Sequence, residues 1–454
     1  MSDELTFAEA LDVLARANAF GINPSLEGVT ELVEALGRPQ DTFASVQITG
    51  TNGKTSTARI AAALLLAEGR SVGLFTSPEL ERYPERIEIG GEVVSDADFA
   101  LAVSAVVAVA EELRGAGTVG TPEGHTEFEL FTAAALWLFR ERGVEIAVLE
   151  VGLGGRWDAT SVVSPSVAVI TGVGLDHTAI LGDTVEQIAA DKAAIIKPAS
   201  TPVLGPGTDG LDAIFLLQAE LVGTHPRAVR EGLDVSPVAG DLTVRFRVTG
   251  RPERPHATTE LEVDGVHAHY GSLEMVAPSY QAANVATAVA AAEAALGRAL
   301  DADRVRAALK SLAIPGRFEL VSADPPVIVD GSHNPQAAAV LAAAIREAFP
   351  GRKPHVLLGV LADKDARGIV EALAPVASGF SVVRPRSPRA LSQDDLAAIV
   401  RQVSGTMPQG FPTVPEALET LRGVCADGLV VTGSLTTAGE ARGVLLDASA
   451  TGDE

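Results

Sequence analysis

The sequence predicts an α/β fold with two domains, and three observations lead to it. The chain has 454 residues, whereas a typical domain has about 150. Hydrophobic residues make up 47% of the chain, which is enough to build a sizeable core. Short apolar runs alternate with longer helical patterns, and this alternation favours a mostly parallel sheet covered by helices.

The first part of the chain carries the longer series of strands and helices. Strands are predicted at 45–49, 71–76, 146–150 and 167–171, and helices at 55–68, 128–142 and 185–197. The apolar run 99–110 falls short of the roughly 18 residues of a membrane span, so we interpret it as a packed helix. Between about 228 and 270 polarity alternates, which predicts a small antiparallel insertion before a helix at 284–296.

A second, shorter series follows. Its predicted strands are 327–330, 355–360, 380–383 and 429–432, with helices such as 336–348 and 392–403 between them. We therefore predict an N-terminal phosphate-loop domain at 1–298 and a smaller, Rossmann-like α/β domain at 299–454. The tail 451–454 is expected to fray.

The charge balance restricts the possible partners. Lys and Arg number 35 and Asp and Glu 59, so the net charge is −24. No run of basic residues offsets this field, and we expect no nucleic acid partner. The single cysteine, Cys425, excludes an intrachain disulfide and fits a reducing compartment. The first nine residues lack the basic region of a signal peptide, so we expect a cytoplasmic protein without a membrane anchor.

The most specific motif is the run Gly50-Thr51-Asn52-Gly53-Lys54-Thr55-Ser56, between a predicted strand and a predicted helix. Small residues there let backbone N–H groups face phosphate, and the helix N-terminus adds positive potential. Lys54 supplies a charge for the β/γ-phosphates and Thr55 a hydroxyl for phosphate or Mg²⁺. The full Walker A pattern has glycine in place of Ile48, so this is a shortened variant that predicts ATP binding. An ordinary glycine-rich turn is the alternative.

Further candidate residues lie near strand ends. Glu150 and Asp330 end predicted strands, where a carboxylate could hold Mg²⁺ or contact a nucleotide. His177 follows the strand 167–171 and could reach the same edge. Each residue also has a non-functional interpretation: a solvated acid for Glu150 and Asp330, and a surface histidine for His177. Lys192, a further candidate, could instead form a surface ion pair with its neighbour Asp191.

Taken together, the motifs resemble a known family. The form Thr51-Asn52-Gly53-Lys54-Thr55 resembles the Mur ligase superfamily, and the remaining motifs resemble the folylpolyglutamate synthase/dihydrofolate synthase family. Those motifs are Thr76-Ser77-Pro78, Glu85-Arg86-Ile87, the run 150–160 (EVGLGGRWDAT), Asp176-His177-Thr178 with Leu181-Gly182, the run 192–197 (KAAIIK), the run 315–319 (PGRFE) and the run 330–335 (DGSHNP). They occur in the family's order from Gly21 to Gly439, nearly the whole chain.

The resemblance implies a Mur-ligase-like ATP-binding central domain at 1–298 and a Mur-ligase-like C-terminal domain at 299–454. The implied nucleotide contacts are Gly50, Thr51, Asn52, Gly53, Lys54, Thr55, Ser56, Asn284, Arg317 and Asp330. Two Mg²⁺ sites are implied, with ligands Ser77, Glu150 and His177. The implied catalytic residues are Lys54, Lys192, His177 and His333, with Lys192 carbamylated. A pterin-bearing substrate would be lined by Thr126, Phe128, Glu129, Leu153, Gly154 and Gly155.

The activity implied by the resemblance is ATP-dependent amide formation. L-glutamate would be joined to dihydropteroate, folylpolyglutamate or both, through an acyl phosphate. The partners would be small molecules only (ATP, L-glutamate and a pterin-type acceptor), and we expect a monomer.

Three alternatives remain open. A related ligase could act on a non-folate carboxylic acid, because Glu79 and Ser161 stand where the family usually has histidine and asparagine. Glu79 could face the acceptor or point into solvent. A cell-wall Mur ligase is disfavoured, because Gly50 leaves no room for a preceding nucleotide-sugar domain. A catalytically dead nucleotide-binding regulator is disfavoured by the intact phosphate-loop and metal-site residues.

Overall fold

The computed structural model describes residues 4–17, 21, 23–116, 124–232 and 242–451. The chain divides into two units. The first comprises residues 1–247, 262–271 and 283–309, and the second comprises 248–261, 272–282 and 310–454. The domain boundary predicted between 298 and 299 stays a prediction, and the expected fraying of 452–454 lies outside the described residues.

The described residues form seventeen strands and fifteen α-helices. The strands are β1 (Ala44–Thr49), β2 (Val72–Phe75), β3 (Ile87–Ile89), β4 (Glu92–Val93), β5 (Ile146–Glu150), β6 (Val167–Gly172), β7 (Thr201–Gly207), β8 (Arg227–Glu231), β9 (Leu242–Gly250), β10 (Thr258–Asp264), β11 (His269–Val276), β12 (Glu319–Ala323), β13 (Pro326–Val329), β14 (His355–Leu358), β15 (Phe380–Val383), β16 (Gln409–Phe411) and β17 (Leu429–Thr432). The helices are α1 (Phe7–Ala17), α2 (Glu27–Ala35), α3 (Lys54–Ala67), α4 (Asp96–Ala116), α5 (Glu127–Glu141), α6 (Thr178–Leu181), α7 (Val185–Ala193), α8 (Asp212–Val222), α9 (Gln281–Leu296), α10 (Ala302–Ser311), α11 (Pro335–Ala348), α12 (Ala366–Leu373), α13 (Gln393–Ser404), α14 (Val414–Arg422) and α15 (Leu435–Thr451).

The larger sheet has eleven strands in the order β11-β10-β9-β8-β7-β6-β1-β5-β2-β3-β4. Its centre is parallel: β1 pairs with β5 on one side and with β6 on the other. Strands β5 and β6 are buried along their whole length, which explains their continuous apolar sequences, since a strand in a parallel sheet is covered on both faces. Antiparallel strands β3 and β4 complete one edge.

The smaller sheet has six strands in the order β12-β13-β17-β14-β15-β16. All its pairs are parallel except β12 with β13. Its apolar core brings together Leu341, Ile345 and Leu373 from the helices with strand residues such as Val356 and Val382. The two parallel sheets, with antiparallel strands at their edges, confirm the predicted α/β fold class.

Most predicted elements are found within two residues of their predicted ends, and three differ. Helix α9 begins at Gln281, three residues before the predicted start at 284. Helix α7 ends at Ala193 and not at 197, because the N–H groups of Ile195 and Ile196 bond to carbonyls three residues back, which tightens the chain before Pro198. The region 228–270 is only partly antiparallel, since β8 and β9 pair in parallel. The apolar run at 99–110 lies within α4, as predicted. Among the helices that the structure describes, none combines the length and apolarity that a membrane span requires.

A buried polar network holds the connection between β10 and β11. Glu293 on α9 is fully buried and accepts hydrogen bonds from the Val266 N–H (2.8 Å) and the Tyr270 hydroxyl (2.8 Å). The Tyr270 oxygen accepts the N–H of Leu300 at 2.8 Å. The phenol therefore links a strand, a helix and the chain after that helix.

We predict that Tyr270→Phe lowers the free energy of unfolding by about 1–3 kcal/mol, because a buried carboxylate oxygen and a buried N–H each lose a partner. The matched control is Tyr83→Phe, since no hydrogen bond joins the Tyr83 hydroxyl to the described residues. Differential scanning fluorimetry compares the two variants. Equal melting temperatures for both would contradict the role given to the Tyr270 hydroxyl.

Candidate active site

The phosphate loop connects the end of β1 to the start of α3. Gly50 has φ +155°, and a Cβ there would lie 1.9 Å from Thr171 Oγ1. Gly53 has φ +84°, and a Cβ there would lie 2.7 Å from Asn284 Oδ1. Both positions require glycine, because another side chain would be strained and would collide with a neighbour. Thr171 Oγ1 also donates to the Asn52 carbonyl at 2.7 Å, so the loop is tied to the end of β6.

Lys54, the cation of the phosphate loop, is the first residue of α3. Lys54 Nζ donates to the carbonyl oxygens of Gly50 (3.0 Å) and Thr51 (3.4 Å), so the side chain folds back over the loop. Thr57 Oγ1 lies 3.4 Å from Asn284 Oδ1. Asn284, implied by the resemblance as a nucleotide contact, therefore lies against the first turn of α3.

Glu150 brings together residues from three parts of the chain. Its carboxylate is 1% exposed, accepts the Thr55 hydroxyl at 2.8 Å and accepts the Ser77 N–H at 3.3 Å. Ser77 Oγ is buried and has no hydrogen-bond partner. Mg²⁺ prefers oxygen ligands and completes its shell with water and substrate phosphates, so this cluster fits it. Within the described residues, no group of three or more His, Cys, Asp and Glu side chains could hold a metal by itself.

Lys192 lies on α7 and is 3% exposed. Burial, followed by the positive charge of Lys54, lowers the pKa of Lys192 to about 7, against an opposing effect of nearby carboxylates such as Asp191. The neutral amine is therefore far more accessible near neutral pH than it is for an exposed lysine. Because Lys192 is buried, the alternative interpretation of a surface ion pair with Asp191 is wrong.

His177 occupies an exposed position after β6, at φ +50°. Its Nε2 atom lies 3.9 Å from the Asp176 carboxylate, and its backbone N–H donates to the same carboxylate at 2.9 Å. The metal-ligand role of His177 stays a prediction.

The buried Asp158 carboxylate anchors the glycine-rich loop, residues 152–155, that follows β5. Asp158 accepts the Leu153 N–H (2.9 Å), the Thr160 N–H (3.0 Å) and the Thr160 hydroxyl (2.5 Å). Burial raises the pKa of this carboxyl group. A Cβ at Gly155 would lie 3.1 Å from Lys192 Cα, so the loop packs directly on α7.

Three of the residues predicted to line the acceptor, Thr126, Phe128 and Glu129, lie at the start of α5. Thr126 and Glu129 cap the helix reciprocally: Thr126 Oγ1 accepts the Glu129 N–H at 3.3 Å, and Glu129 Oε2 accepts the Thr126 N–H at 2.8 Å. The other Glu129 oxygen lies 3.5 Å from Asn23 Nδ2. The Phe128 ring lies 2.7 Å from the position of a Cβ at Gly152. The structure thus brings α5 and the glycine-rich loop together, although the Glu129 carboxylate is already engaged within the protein.

The Glu79 side chain is partly buried and forms an ion pair, so it does not point into solvent. Its carboxylate accepts Arg86 Nε at 2.5 Å, and the same guanidinium donates to Glu127 at 2.8 Å. The guanidinium also lies over the rings of Tyr83 (5.2 Å) and Phe131 (5.0 Å). Burial raises the pKa of Glu127.

In the second unit, the loop after β13 is organised by Asp330, which is 3% exposed. Its carboxylate accepts the N–H groups of Phe318 and Ser332, both at 2.9 Å. Arg317 Nη1 lies 3.3 Å from the position of a Cβ at Gly331, so it adjoins the same loop. His333 Nδ1 lies 2.9 Å from the Gly331 carbonyl and must donate to it, which makes Nε2 the acceptor of the neutral ring. Their ligand roles stay predictions.

Sequence reasoning missed several residues that shape the site. The Thr171 side chain leaves no room for a Cβ at Gly50. Gln47 lies fully buried in β1. His125, beside Thr126, is 4% exposed, its Nε2 has no hydrogen-bond partner, and burial lowers its pKa. One signal was available: β1 alternates polar and apolar residues (ASVQIT), and polar side chains such as Gln47 in a central strand indicate a buried hydrogen-bond network.

Comparison with known proteins identifies the class. The profile of the Mur ligase middle domain matches residues 100–204, and that of the Mur ligase glutamate ligase domain matches residues 316–435. The chain is therefore built from Mur ligase domains.

Full-length relatives narrow the class to a family. The dihydrofolate synthase/folylpolyglutamate synthase of Mycobacterium tuberculosis is 34% identical over 451 residues, covering 93% of this chain and 90% of that protein. The structure of M. tuberculosis folylpolyglutamate synthase complexed with ADP has a TM-score of 0.87 at 32% identity, covering 97% of this chain and 98% of that one. Escherichia coli FolC in complex with DHPP and ADP has a TM-score of 0.83 at 29% identity, covering 98% and 99%. This chain belongs to the folylpolyglutamate synthase/dihydrofolate synthase family.

We predict that Gly50→Ala abolishes measurable nucleotide binding, because the new Cβ would collide with Thr171 and displace the loop. Gly69→Ala is the matched control: Gly69 also has positive φ, +80°, but a Cβ there meets no atom within 4 Å. Titration calorimetry with ADP measures both. Native affinity in Gly50→Ala would show that the loop does not bind phosphate in this conformation.

Proposed function

We propose that this chain is an ATP-dependent amide ligase that joins L-glutamate to dihydropteroate, to folylpolyglutamate or to both, through an acyl phosphate. The observation that carries the proposal is the cluster of Lys54, Thr55, Glu150 and the unpartnered Ser77 hydroxyl beside the phosphate loop. Family membership supports the acceptor class, since the relatives named above are dihydrofolate and folylpolyglutamate synthases.

The reaction explains why the cluster is built this way. The acceptor carboxylate attacks the γ-phosphorus of ATP, the bond to the β-phosphate breaks, and an acyl phosphate and ADP form. The glutamate amine then attacks the acyl carbon, phosphate leaves, and the amine loses its proton as the amide forms. Two anions must approach each other in the first step, so catalysis depends on positive charge placed beforehand.

The residues of the phosphate loop supply that positive charge. The loop N–H groups and the N-terminus of α3 cradle the phosphates. Lys54 exchanges its two carbonyl partners for β- and γ-phosphate oxygens, which are stronger acceptors because they are charged. Since the overall charge is −24, this local arrangement must overcome the field of the whole protein.

Mg²⁺ would be held by Ser77 and Glu150, with His177 as a further ligand, and it would neutralise charge on the phosphates. Glu150 already orients the Thr55 hydroxyl and the Ser77 N–H. The Ser77 hydroxyl is the buried oxygen that lacks a partner. We also propose a second Mg²⁺, which a carbamate on Lys192 would help to hold.

We assign to Lys192 a carbamate in the active enzyme. The neutral amine attacks carbon dioxide, a C–N bond forms as one C=O π bond breaks, and one proton is released, so that the neutral amine becomes an anionic carbamate. The low pKa of Lys192 supports this step, because only the unprotonated amine is nucleophilic.

In the second unit we assign Arg317 and Asp330 to the nucleotide and His333 to the γ-phosphate or the incoming glutamate. The acceptor is assigned to the region of Thr126, Phe128, Glu129 and the loop Leu153, Gly154 and Gly155. We further propose that the enzyme acts as a monomer in the cytoplasm.

A panel assay tests the proposed function. The purified chain receives ATP, MgCl₂, bicarbonate and L-glutamate, with dihydropteroate, tetrahydrofolate or an unrelated carboxylic acid as acceptor. We expect ADP release and a product heavier by one glutamyl residue with at least one of the two pterin acceptors. Turnover only with the unrelated acid would support the non-folate alternative, and no ADP release with any acid would support a nucleotide-binding regulator.

We predict that Lys54→Ala lowers turnover by about 10²–10³-fold, the loss typical of one preorganised electrostatic donor. Its side chain contacts loop carbonyls and fills no core space, so the melting temperature should stay close to that of the wild type. The control is Lys353→Ala, at an exposed position of the second unit. A folded Lys54→Ala enzyme with near-native turnover would remove the phosphate-loop assignment.

We predict that the Lys192 carbamate forms more readily as pH rises from 6 to 8, because the amine loses its proton around pH 7. With ¹³C-labelled bicarbonate, NMR should show a carbamate resonance that grows over this range and is absent from Lys192→Ala. Turnover should follow the same rise. An active wild-type enzyme without this resonance at pH 8 would refute the carbamate.

A further inference from the structure

Gln47 is a fully buried amide in the strand that ends in the phosphate loop. Its Nε2 donates to Thr160 Oγ1 at 3.1 Å and to Ser161 Oγ at 2.9 Å. Ser161, 2% exposed, donates in turn to the carbonyl oxygen of Gly155 at 2.5 Å. A relay of two hydrogen bonds therefore connects β1 to the glycine-rich loop.

The acceptors of the two hydroxyl protons determine which groups donate and which accept in this relay. The Thr160 hydroxyl proton is committed to Asp158 (2.5 Å) and the Ser161 hydroxyl proton to Gly155. Both hydroxyl oxygens can therefore only accept from Gln47, so the amide must present its NH₂ group to them. The Gln47 Oε1 atom is left buried without a hydrogen-bond partner, which is unfavourable and shows that the amide is held in this orientation by its two NH₂ contacts.

A second connection runs beside the first. Thr49, two residues after Gln47 and so on the same face of β1, donates to the Gly154 carbonyl at 2.5 Å. Two successive carbonyls of the loop, those of Gly154 and Gly155, thus accept from the β1 side of the loop. In a trans peptide the C=O and N–H point in opposite directions, so the N–H groups of Gly155 and Arg156 are turned the other way. Neither N–H donates a hydrogen bond to any residue that the structure describes.

We infer that Gln47 and Ser161 are positioning residues whose relay keeps the Gly155 and Arg156 N–H groups directed at the acceptor substrate. The two N–H groups donate to an anionic oxygen of the acceptor, either its carboxylate or the acyl phosphate made from it. Adjacent backbone N–H groups form an anion-binding concavity without any charged side chain, and they stabilise negative charge where it develops. This inference rests on the proposed function, because that function supplies the anionic acceptor.

The same relay explains Ser161, where the family usually has asparagine. Its hydroxyl is buried and used twice, once as an acceptor and once as a donor. Ser161 therefore acts through Gly155 and does not touch the acceptor with its own side chain.

Ser161→Ala and Gln47→Leu test the relay. Each should lower kcat/KM for the acceptor by about tenfold, less than the ~10²–10³-fold lost when such a donor is removed outright, with KM for ATP unchanged. The double variant should lose little more than either single one, because both changes break the same relay. Ser45→Ala is the control, since Ser45 is also buried and lies on the same face of β1, two residues before Gln47.

Amide hydrogen exchange supplies a readout that needs no turnover. Exchange at Gly155 and Arg156 should slow when the acceptor binds the wild type, and it should be faster in Ser161→Ala than in Ser45→Ala at equal melting temperature. Acceptor binding without this protection, or additive losses in the double variant, would overturn the inference. A wild type that ligates no acid in the panel would refute the proposed function instead, and faster exchange in Ser161→Ala would then still report the relay.

Discussion

The end of β1 approaches β6 so closely that no side chain fits between them at Gly50, and the rest of the site depends on that approach. It places the phosphate loop above the middle of the larger sheet, where β1 lies between β5 and β6. The carboxyl ends of adjacent parallel strands meet at one edge, so residues distant in sequence come within hydrogen-bond distance. Thr55 and Glu150 are 95 positions apart and still meet at 2.8 Å.

Electrostatics then shape what this edge can bind. Burial opposes protonation of Lys192, and the positive charge of nearby Lys54 adds to that effect. If Lys192 becomes a carbamate, the two lysines change from like to opposite charges. A carboxylate among the nearby aspartates would in turn require cations, which Lys54 and bound Mg²⁺ would supply. The low pKa of Lys192 supports the proposed carbamate, because only the unprotonated amine can form it.

Local sequence was sufficient to predict the central strands and the phosphate loop. Strands β5 and β15 have their predicted ends, because each is a short, mostly apolar run bounded by polar or turn residues. The parallel pairing of β8 and β9 was missed, since alternating polarity indicates a strand but does not reveal its partner. The Gln47 relay was missed for a related reason: its partners are 113 and 114 positions away, and only the fold brings them together.

The placement of Glu79 bears on which acceptor the site accepts. Considered alone, a glutamate in place of the family's histidine adds negative charge and would repel a polyglutamyl chain. In the structure that charge is shared with Arg86, which also pairs with Glu127. Burial raises the pKa of Glu127, the second carboxyl group that Arg86 contacts. Because the Arg86 guanidinium is paired with Glu79 and offsets its charge locally, the glutamate at this position is not by itself a reason to exclude a polyanionic folate acceptor.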